Sequence, residues 1–164
     1  MLLAIISDTH LPRGSRRLPA ACLERLRAAD LILHAGDLVS LAVLDELEGL
    51  GPPVAAVHGN VDEAALRRRL PLDRIVDAAG SRIGMVHDAG PAAGRLERLR
   101  RRFPDCAAAV FGHSHIPLHQ TDIDSGFQIL NPGSPTDRRR QPRHTMAIGQ
   151  ASDGMVTFGI VALD

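Results

Sequence analysis

The chain has 164 residues, and its 19 basic and 19 acidic side chains give a formal charge of zero. The length allows one domain, residues 1–164, with a substantial buried core. The neutral balance and the absence of Trp and Tyr argue against a nucleic-acid-binding platform, which needs positive charge and rings on which bases stack.

The predicted elements alternate between short apolar strands and amphipathic helices over the first two thirds of the chain. Strands are predicted at 2–6, 31–33, 54–57, 74–78, 82–86 and 107–111, and helices near 19–28, 41–47, 62–70 and 92–103. Strands at 118–123, 127–130, 145–151 and 155–161 follow, separated by turn sequences. This order predicts an α/β core that is extended by antiparallel strands.

The start of the chain and its cysteines bear on its location. Residue 1 leads directly into an apolar strand, and no apolar run approaches the ~18 residues of a membrane span. We therefore expect a cytoplasmic protein. Cys22 and Cys106 are far apart and lack a CxxC neighbour, so we expect buried free thiols.

Five of the predicted strands end in a polar cluster. The clusters are Ser7-Asp8-Thr9-His10, His34-Ala35-Gly36-Asp37, His58-Gly59-Asn60, His87-Asp88 and Gly112-His113-Ser114-His115. Because parallel strands end on the same side, we expect the clusters to converge at the carboxyl edge of one sheet. Lysine is absent and no arginine lies within the clusters, so a metal centre is the natural source of the positive charge that buried carboxylates need.

The residue types indicate which metals would fit. Seven candidate ligands are two aspartates, one asparagine and four histidines, namely Asp8, His10, Asp37, Asn60, His87, His113 and His115. This mixture of oxygen and imidazole nitrogen suits Mn, Fe, Zn or Ni better than Mg or Ca. Seven ligands exceed the four of tetrahedral zinc, which favours two divalent transition-metal ions sharing one carboxylate.

The ordered blocks DTH, GD, GN, H and GHSH resemble those of the calcineurin-like metallophosphoesterase superfamily, and most closely its small bacterial and archaeal phosphodiesterases. NPGS at 131–134 resembles a turn common among them. The resemblance implies a four-layer α-β-β-α sandwich with a dinuclear centre at the carboxyl ends of the strands. It places Asp8, His10, Asp37 and His115 on one metal. It places Asp37, Asn60, His87 and His113 on the other, so that Asp37 bridges.

The activity that the resemblance implies is hydrolysis of phosphodiesters by a metal-bridging hydroxide, with Asp37, Asn60 and His87 as catalytic residues. Val61 stands where the superfamily often has a histidine that assists the leaving group. Since valine cannot donate a proton, we expect esters with good leaving groups to react and alkyl esters to react more slowly. Asp88 stands where a glycine often follows the histidine, and we expect it to hold His87 or to cap a turn.

Other polar residues receive structural interpretations. We expect His34 and His58 to form hydrogen bonds beside the ligands, with His58 as an alternative replacement for the missing acid. Asp62 is predicted to cap the helix at 62–70. The arginine runs 67–69 and 100–102 are predicted to be solvated helix faces, and 138–140 an exposed loop that could also touch an anionic substrate or a partner subunit. His119 and His144 are expected in surface or packing roles.

Two alternatives to a small-molecule phosphodiesterase remain open. One is a scaffold acting in protein–protein interaction, as a retromer subunit of similar fold does, although a degenerate scaffold should have lost ligand positions. The other is a nuclease, against which the neutral charge and scarce aromatics argue. The sequence further leaves open a homodimer formed through an exposed edge of the C-terminal strands.

Overall fold

The computed structural model describes residues 1–164, which form ten strands and four helices. The strands are β1 (Leu2–Ile6), β2 (Leu31–His34), β3 (Val54–Ala56), β4 (Asp73–Ala78), β5 (Ser81–Val86), β6 (Ala108–Val110), β7 (Leu118–Thr121), β8 (Gln128–Asn131), β9 (Thr145–Ser152) and β10 (Met155–Ala162). The helices are α1 (Ala20–Ala28), α2 (Leu41–Glu48), α3 (Ala64–Arg69) and α4 (Arg95–Arg102).

The strands form two five-stranded sheets, in the orders β10-β9-β1-β2-β3 and β4-β5-β6-β8-β7. In the first sheet β1, β2 and β3 are parallel, and β9 and β10 add antiparallel to β1. In the second sheet β5, β6 and β8 are parallel, whereas β4 and β7 pair antiparallel at its two edges. The prediction that antiparallel strands extend an α/β core is confirmed. These antiparallel strands are divided between the two sheets.

Apolar packing arranges these elements in four layers. Buried side chains of both sheets, such as Ile5 and Met85, fill the space between them. The outer face of the first sheet is covered by α1, α2 and α3, and Leu26 lies in that core. The outer face of the second sheet is covered by α4, whose Leu99 and Phe103 pack in a third core. The α-β-β-α sandwich implied by the resemblance is therefore confirmed.

The expectation that all five polar clusters end on one sheet is wrong. The first three clusters follow β1, β2 and β3 of the first sheet, and the other two follow β5 and β6 of the second. The two carboxyl edges adjoin because the sheets stack face to face. The His87 side chain at the end of β5 lies within hydrogen-bond distance, 2.8 Å, of the Ala35 carbonyl at the end of β2.

Smaller differences concern helix starts and cysteines. The helix predicted from residue 92 begins at Arg95, because Gly94 adopts a left-handed conformation with φ of 66°. Cys22 is buried as expected, whereas Cys106 is only half-buried, and both are free. None of the four helices is long and apolar enough to cross a membrane.

The packing of α4 against β5 requires a glycine at position 84. A Cβ atom on Gly84 of β5 would lie 2.4 Å from Cγ of Phe103. We expect Gly84→Ala to lower the free energy of unfolding by about 1–3 kcal/mol, because the ring must move out of a packed core. Urea denaturation of the metal-free protein measures this.

The matched control is Gly159→Ala in β10, where nothing lies within 4 Å of the added methyl group. We expect its unfolding free energy to stay within about 0.5 kcal/mol of the wild type. Equal effects of the two substitutions would contradict the packing of Phe103 against Gly84.

Candidate metal centre

Two groups of side chains at the adjoining strand ends could each hold a metal ion. Asp8, His10 and His115 form the first group, and Asp37, His87 and His113 form the second, with the ligand atoms of each group within 4.8 Å of one another. Asn60 belongs to the second group, since its Oδ1 lies 3.2 Å from His87 Nε2 and 3.0 Å from His113 Nδ1. The structure thus brings together all seven side chains that the sequence singled out.

Asp37 connects the two groups through a single oxygen atom. Its Oδ2 lies 3.4 Å from His10 Nε2 in the first group and 3.2 Å from His87 Nε2 in the second. The other oxygen, Oδ1, accepts a hydrogen bond of 3.1 Å from the Val61 backbone N–H. Oδ2 therefore lies within 3.4 Å of a candidate ligand nitrogen from each group.

The unsatisfied polar atoms of the first group fit a cation. His10 Nε2 and His115 Nε2 are buried and have no hydrogen-bond partner. Buried nitrogen atoms without partners are costly in a folded protein. Both point toward Asp8, whose Oδ1 lies 3.9 Å from His10 Nε2 and 3.5 Å from His115 Nε2. A divalent ion bound by all three residues would satisfy the two nitrogens and the carboxylate at once.

The charges at the centre also favour a bound cation. Burial by itself would lower the pKa of His10, but the nearby carboxylates of Asp37 and Asp8 raise it to about 9. Burial by itself would raise the pKa of Asp37, but the nearby imidazoles of His10 and His87 hold it well below its usual range. The carboxylates thus favour positive charge at this place, which a proton supplies in the metal-free protein.

Hydrogen bonds to the backbone orient the imidazoles. His87 Nδ1 lies 2.8 Å from the Ala35 carbonyl oxygen, and His115 Nδ1 lies close to the Asp137 carbonyl oxygen. With the Nδ1 proton donated to these carbonyls, the Nε2 atom of each neutral imidazole would have its lone pair available for a metal ion. Such support is what ligand histidines commonly receive.

The ligand loops have an uncommon backbone conformation. Positive φ angles of 47–68° occur at Asp8, His10, Asp37, His113 and His115. Non-glycine residues adopt this region rarely, and clusters of such residues occur mainly at functional sites. Gly59 is needed for close approach, because a Cβ atom there would lie 2.0 Å from Asp37 Oδ1.

The centre is closed on one side and open on the other. Asp8, His10, Asp37, His87 and His115 are buried, whereas Asn60, Val61 and His113 are exposed. The Val61 side chain lies at this opening and its residue is 43% exposed. A substrate would approach from the Asn60 and His113 side.

Asp62 has a different role from the helix cap that the sequence predicted. α3 begins at Ala64 after Glu63, without a side-chain cap. Asp62 is buried, and its two oxygens accept hydrogen bonds of 2.6 Å from the Val39 N–H and 2.7 Å from the Gly59 N–H. It thereby ties the loop after Asp37 to the loop before Asn60, and it supports Val39, whose φ of 92° is strained for a β-branched residue.

The last residue of β8 and the segment that follows it support the centre in a way that the sequence did not reveal. Asn131 Nδ2 donates to the Gly112 carbonyl and to Ser114 Oγ, both at 3.0 Å, and Ser134 Oγ donates to the Asp8 carbonyl at 2.8 Å. Thr136 Oγ1 donates to the Thr9 carbonyl. The cluster of Asn, Ser and Thr directly after an apolar strand was the available signal, which we interpreted only as a turn.

The remaining histidines are accounted for by contacts outside the two groups. His34 is fully buried, its Nε2 lies 3.1 Å from Thr9 Oγ1, and burial lowers its pKa to about 3, so it is neutral. His58 Nδ1 approaches only the Gly59 carbonyl, at 3.4 Å. His119 contacts Gln128, and His144 contacts the C-terminal Asp164. Hydrogen bonding beside the ligands is confirmed for His34.

The other charged candidates lie around the centre. Asp88 is exposed and accepts a 2.7 Å hydrogen bond from the Gly90 N–H, so it caps a turn. The run 67–69 is exposed as expected. Arg67 in addition donates to the Asn60 and Asp62 carbonyls and so holds the loop between them. The run 138–140 is exposed as expected.

We expect Asp62→Asn to loosen the centre without removing a candidate ligand. An amide can accept only one of the two N–H groups, and its own NH₂ then faces the other. The free energy of unfolding should fall by about 1–3 kcal/mol, measured by urea denaturation of the metal-free protein. Calorimetric titration with Mn²⁺ should show about 10–100-fold weaker binding, as for other residues that orient ligands.

Asp45→Asn is the control, because the Asp45 side chain is 59% exposed and pairs only with Arg69 at the surface. Its stability and Mn²⁺ affinity should match those of the wild type. If Asp62→Asn behaved like this control, the carboxylate would not be what holds the two loops together.

Comparison with known proteins agrees with the geometry. A probable metallophosphoesterase from Methanothermobacter thermautotrophicus is 38% identical over 138 residues, covering 83% of this chain and 78% of that protein. A second, from Methanocaldococcus jannaschii, is 36% identical over 139 residues, covering 83% of this chain and 69% of that protein.

Solved structures show the same fold. Wild-type Vps29 from Entamoeba histolytica, in complex with Zn²⁺, superposes with a TM-score of 0.78 at 24% identity and full coverage of both chains. A Thermotoga maritima protein solved by solution NMR has a TM-score of 0.75 at 29% identity, covering 98% of both chains. Residues 1–154 match the calcineurin-like phosphoesterase superfamily domain. The chain therefore belongs to the calcineurin-like phosphoesterase superfamily.

Proposed function

We propose that the protein is a metal-dependent phosphodiesterase that uses two divalent transition-metal ions, with manganese as the first choice. One observation carries the proposal: a single oxygen of Asp37 lies 3.4 Å from His10 of the first group and 3.2 Å from His87 of the second. Such a position would allow one carboxylate to bridge two ions. A pair of bound ions would lower the pKa of water and neutralise charge on the in-line transition state.

The protein residues would fix the ions and leave room for the substrate. Asp8, His10 and His115 close the buried side, so water and phosphate can reach the centre only from the side of Asn60 and His113. The Asn60 amide oxygen points between His87 Nε2 and His113 Nδ1, where it would complete the second ion's ligands. The Val61 N–H donates to Asp37 Oδ1 and so keeps Oδ2 turned toward the shared position.

The preference for diesters rests on the open side of the centre. A diester carries one negative charge fewer than a monoester and has a second organic arm. The exposed Val61 side chain offers the leaving-group arm an apolar contact at the opening. Retention of all seven candidate ligands favours catalysis over a purely structural role, because a scaffold does not need them. The Zn²⁺ complex of the Entamoeba Vps29 supports metal binding by this fold.

We expect Mn²⁺-loaded protein to hydrolyse bis(p-nitrophenyl) phosphate faster than p-nitrophenyl phosphate. We expect Asp37→Asn to lower kcat/KM by at least about 100-fold, because the substitution removes the shared carboxylate. Release of p-nitrophenolate measures the rate, and mass spectrometry of the desalted protein measures the bound metal. Asp45→Asn serves as the control and should match the wild type in both.

Two outcomes would contradict the proposal in different ways. No hydrolysis with Mn, Fe, Ni or Zn would favour a scaffold of the same fold. Full activity in Asp37→Asn would refute the bridging role, even if the protein is an esterase.

The Val61 position should decide which leaving groups are tolerated. We expect Val61→His to have little effect on the rate of hydrolysis of methyl p-nitrophenyl phosphate. For an ester with two alkyl arms we expect the rate of hydrolysis to increase about 100-fold or more, because a poor leaving group needs a proton donor. Val61→Gln, which fills the same space without an acid, should leave both rates near the wild type. A similar gain with glutamine would show that size, and not proton donation, limits the alkyl ester.

A further inference from the structure

We propose that a cavity beside the centre is the subsite for the second ester arm of the substrate, and that it selects an arm carrying an anionic group. This inference rests on the proposed phosphodiesterase function. The cavity has a volume of about 320 Å³ and lies between α4 and the loop after β6. That is the lower end of the range of small-molecule sites, roughly 300–1,000 Å³.

The cavity adjoins the centre through the loop after β6. Ser114, which lines it, stands between the candidate ligands His113 and His115. Arg95, which also lines it, packs its guanidinium carbon 5.0 Å from the centroid of the Phe111 ring, at the start of the same loop. A phosphate held at the open side of the centre could therefore extend one organic arm toward Arg95.

The guanidinium group of Arg95 has hydrogen-bond donors that no protein group accepts. One Nη atom donates to the Gly90 carbonyl at 3.1 Å, whereas the other donates to no group, and its buried Nε has no partner. Neither Arg95 nor its neighbour Arg98 forms a salt bridge. Burial first, and then the charge of Arg98, lower the pKa of Arg95, an effect that Asp88 only partly offsets. An anion at this place would relieve the unpaired positive charge.

A second donor and an apolar wall complete the subsite. Ser114 Oγ accepts hydrogen bonds from Asn131 Nδ2 at 3.0 Å and the Ile116 N–H at 3.3 Å, so its own proton is free to donate. Ile116, Leu118 and Ile129 line the rest of the cavity. The chemistry fits an apolar arm that ends in a carboxylate or a phosphate, with Arg95 and Ser114 as its two donors.

The test compares two substrates that share p-nitrophenolate as leaving group and differ only in the second arm, 4-carboxyphenyl or the neutral 4-carbamoylphenyl. With Mn²⁺-loaded wild type we expect the carboxylate substrate to have a KM about tenfold lower at similar kcat, because a guanidinium–carboxylate bond adds only to binding. Arg95→Met keeps a stem over Phe111 but removes the charge, and should abolish the preference. Arg101→Met, on the same helix with its side chain 73% exposed, should retain it.

Binding is measured separately from turnover by calorimetry with 4-carboxybenzylphosphonate and 4-carbamoylbenzylphosphonate, which cannot be hydrolysed. We expect the wild type to bind the carboxylate compound more tightly and Arg95→Met to bind both alike. Ser114→Ala should reduce the preference about threefold, which keeps the test decisive if Arg95→Met does not fold.

The outcomes separate the two proposals. If the wild type hydrolyses both diesters with equal KM and binds both phosphonates alike, the subsite is refuted and the phosphodiesterase proposal stands. If no diester is hydrolysed with any metal, the phosphodiesterase proposal fails, and the calorimetric preference alone supports or refutes the subsite. A preference that survives in Arg95→Met would refute the role of Arg95.

Discussion

The structure depends on two buried carboxylates, Asp8 and Asp37, that need positive charge where no lysine or arginine reaches them. A carboxylate removed from water without a partner costs several kcal/mol even after the protein relaxes. In the metal-free protein the nearby imidazoles supply part of the compensation, which is why the pKa of His10 rises to about 9. Bound cations would supply it fully, so metal binding and stability should be coupled.

The supporting contacts make the centre rigid. The loops that carry the candidate ligands come from two different sheets, and short loops at strand ends would otherwise move independently. Asp62 ties together the loops after β2 and β3, while Asn131 and Ser134 tie those after β6 and β1. Five left-handed residues persist in these loops because the hydrogen bonds around them hold the backbone in place.

The asymmetry between the buried and open sides relates this geometry to function. The buried side offers a substrate only metal ligands, so any selectivity among substrates has to come from the opening and the cavity next to it. We propose that Val61 affects the choice of leaving group there, and that Arg95 affects the choice of second arm.

The sequence by itself determined the element types, the family and the identity of the seven side chains that meet, because strand ends and their polar clusters follow local periodicity. It could not determine that these strands belong to two sheets, since strand pairing depends on contacts between distant parts of the chain. Asp62 shows the same limit of sequence-based prediction. An aspartate just before a helix matches the pattern of an N-cap whether or not its side chain accepts a hydrogen bond from the helix backbone. Only the tertiary structure decided that this carboxylate joins two loops, because both N–H groups that it binds, on Val39 and Gly59, lie outside the helix it precedes.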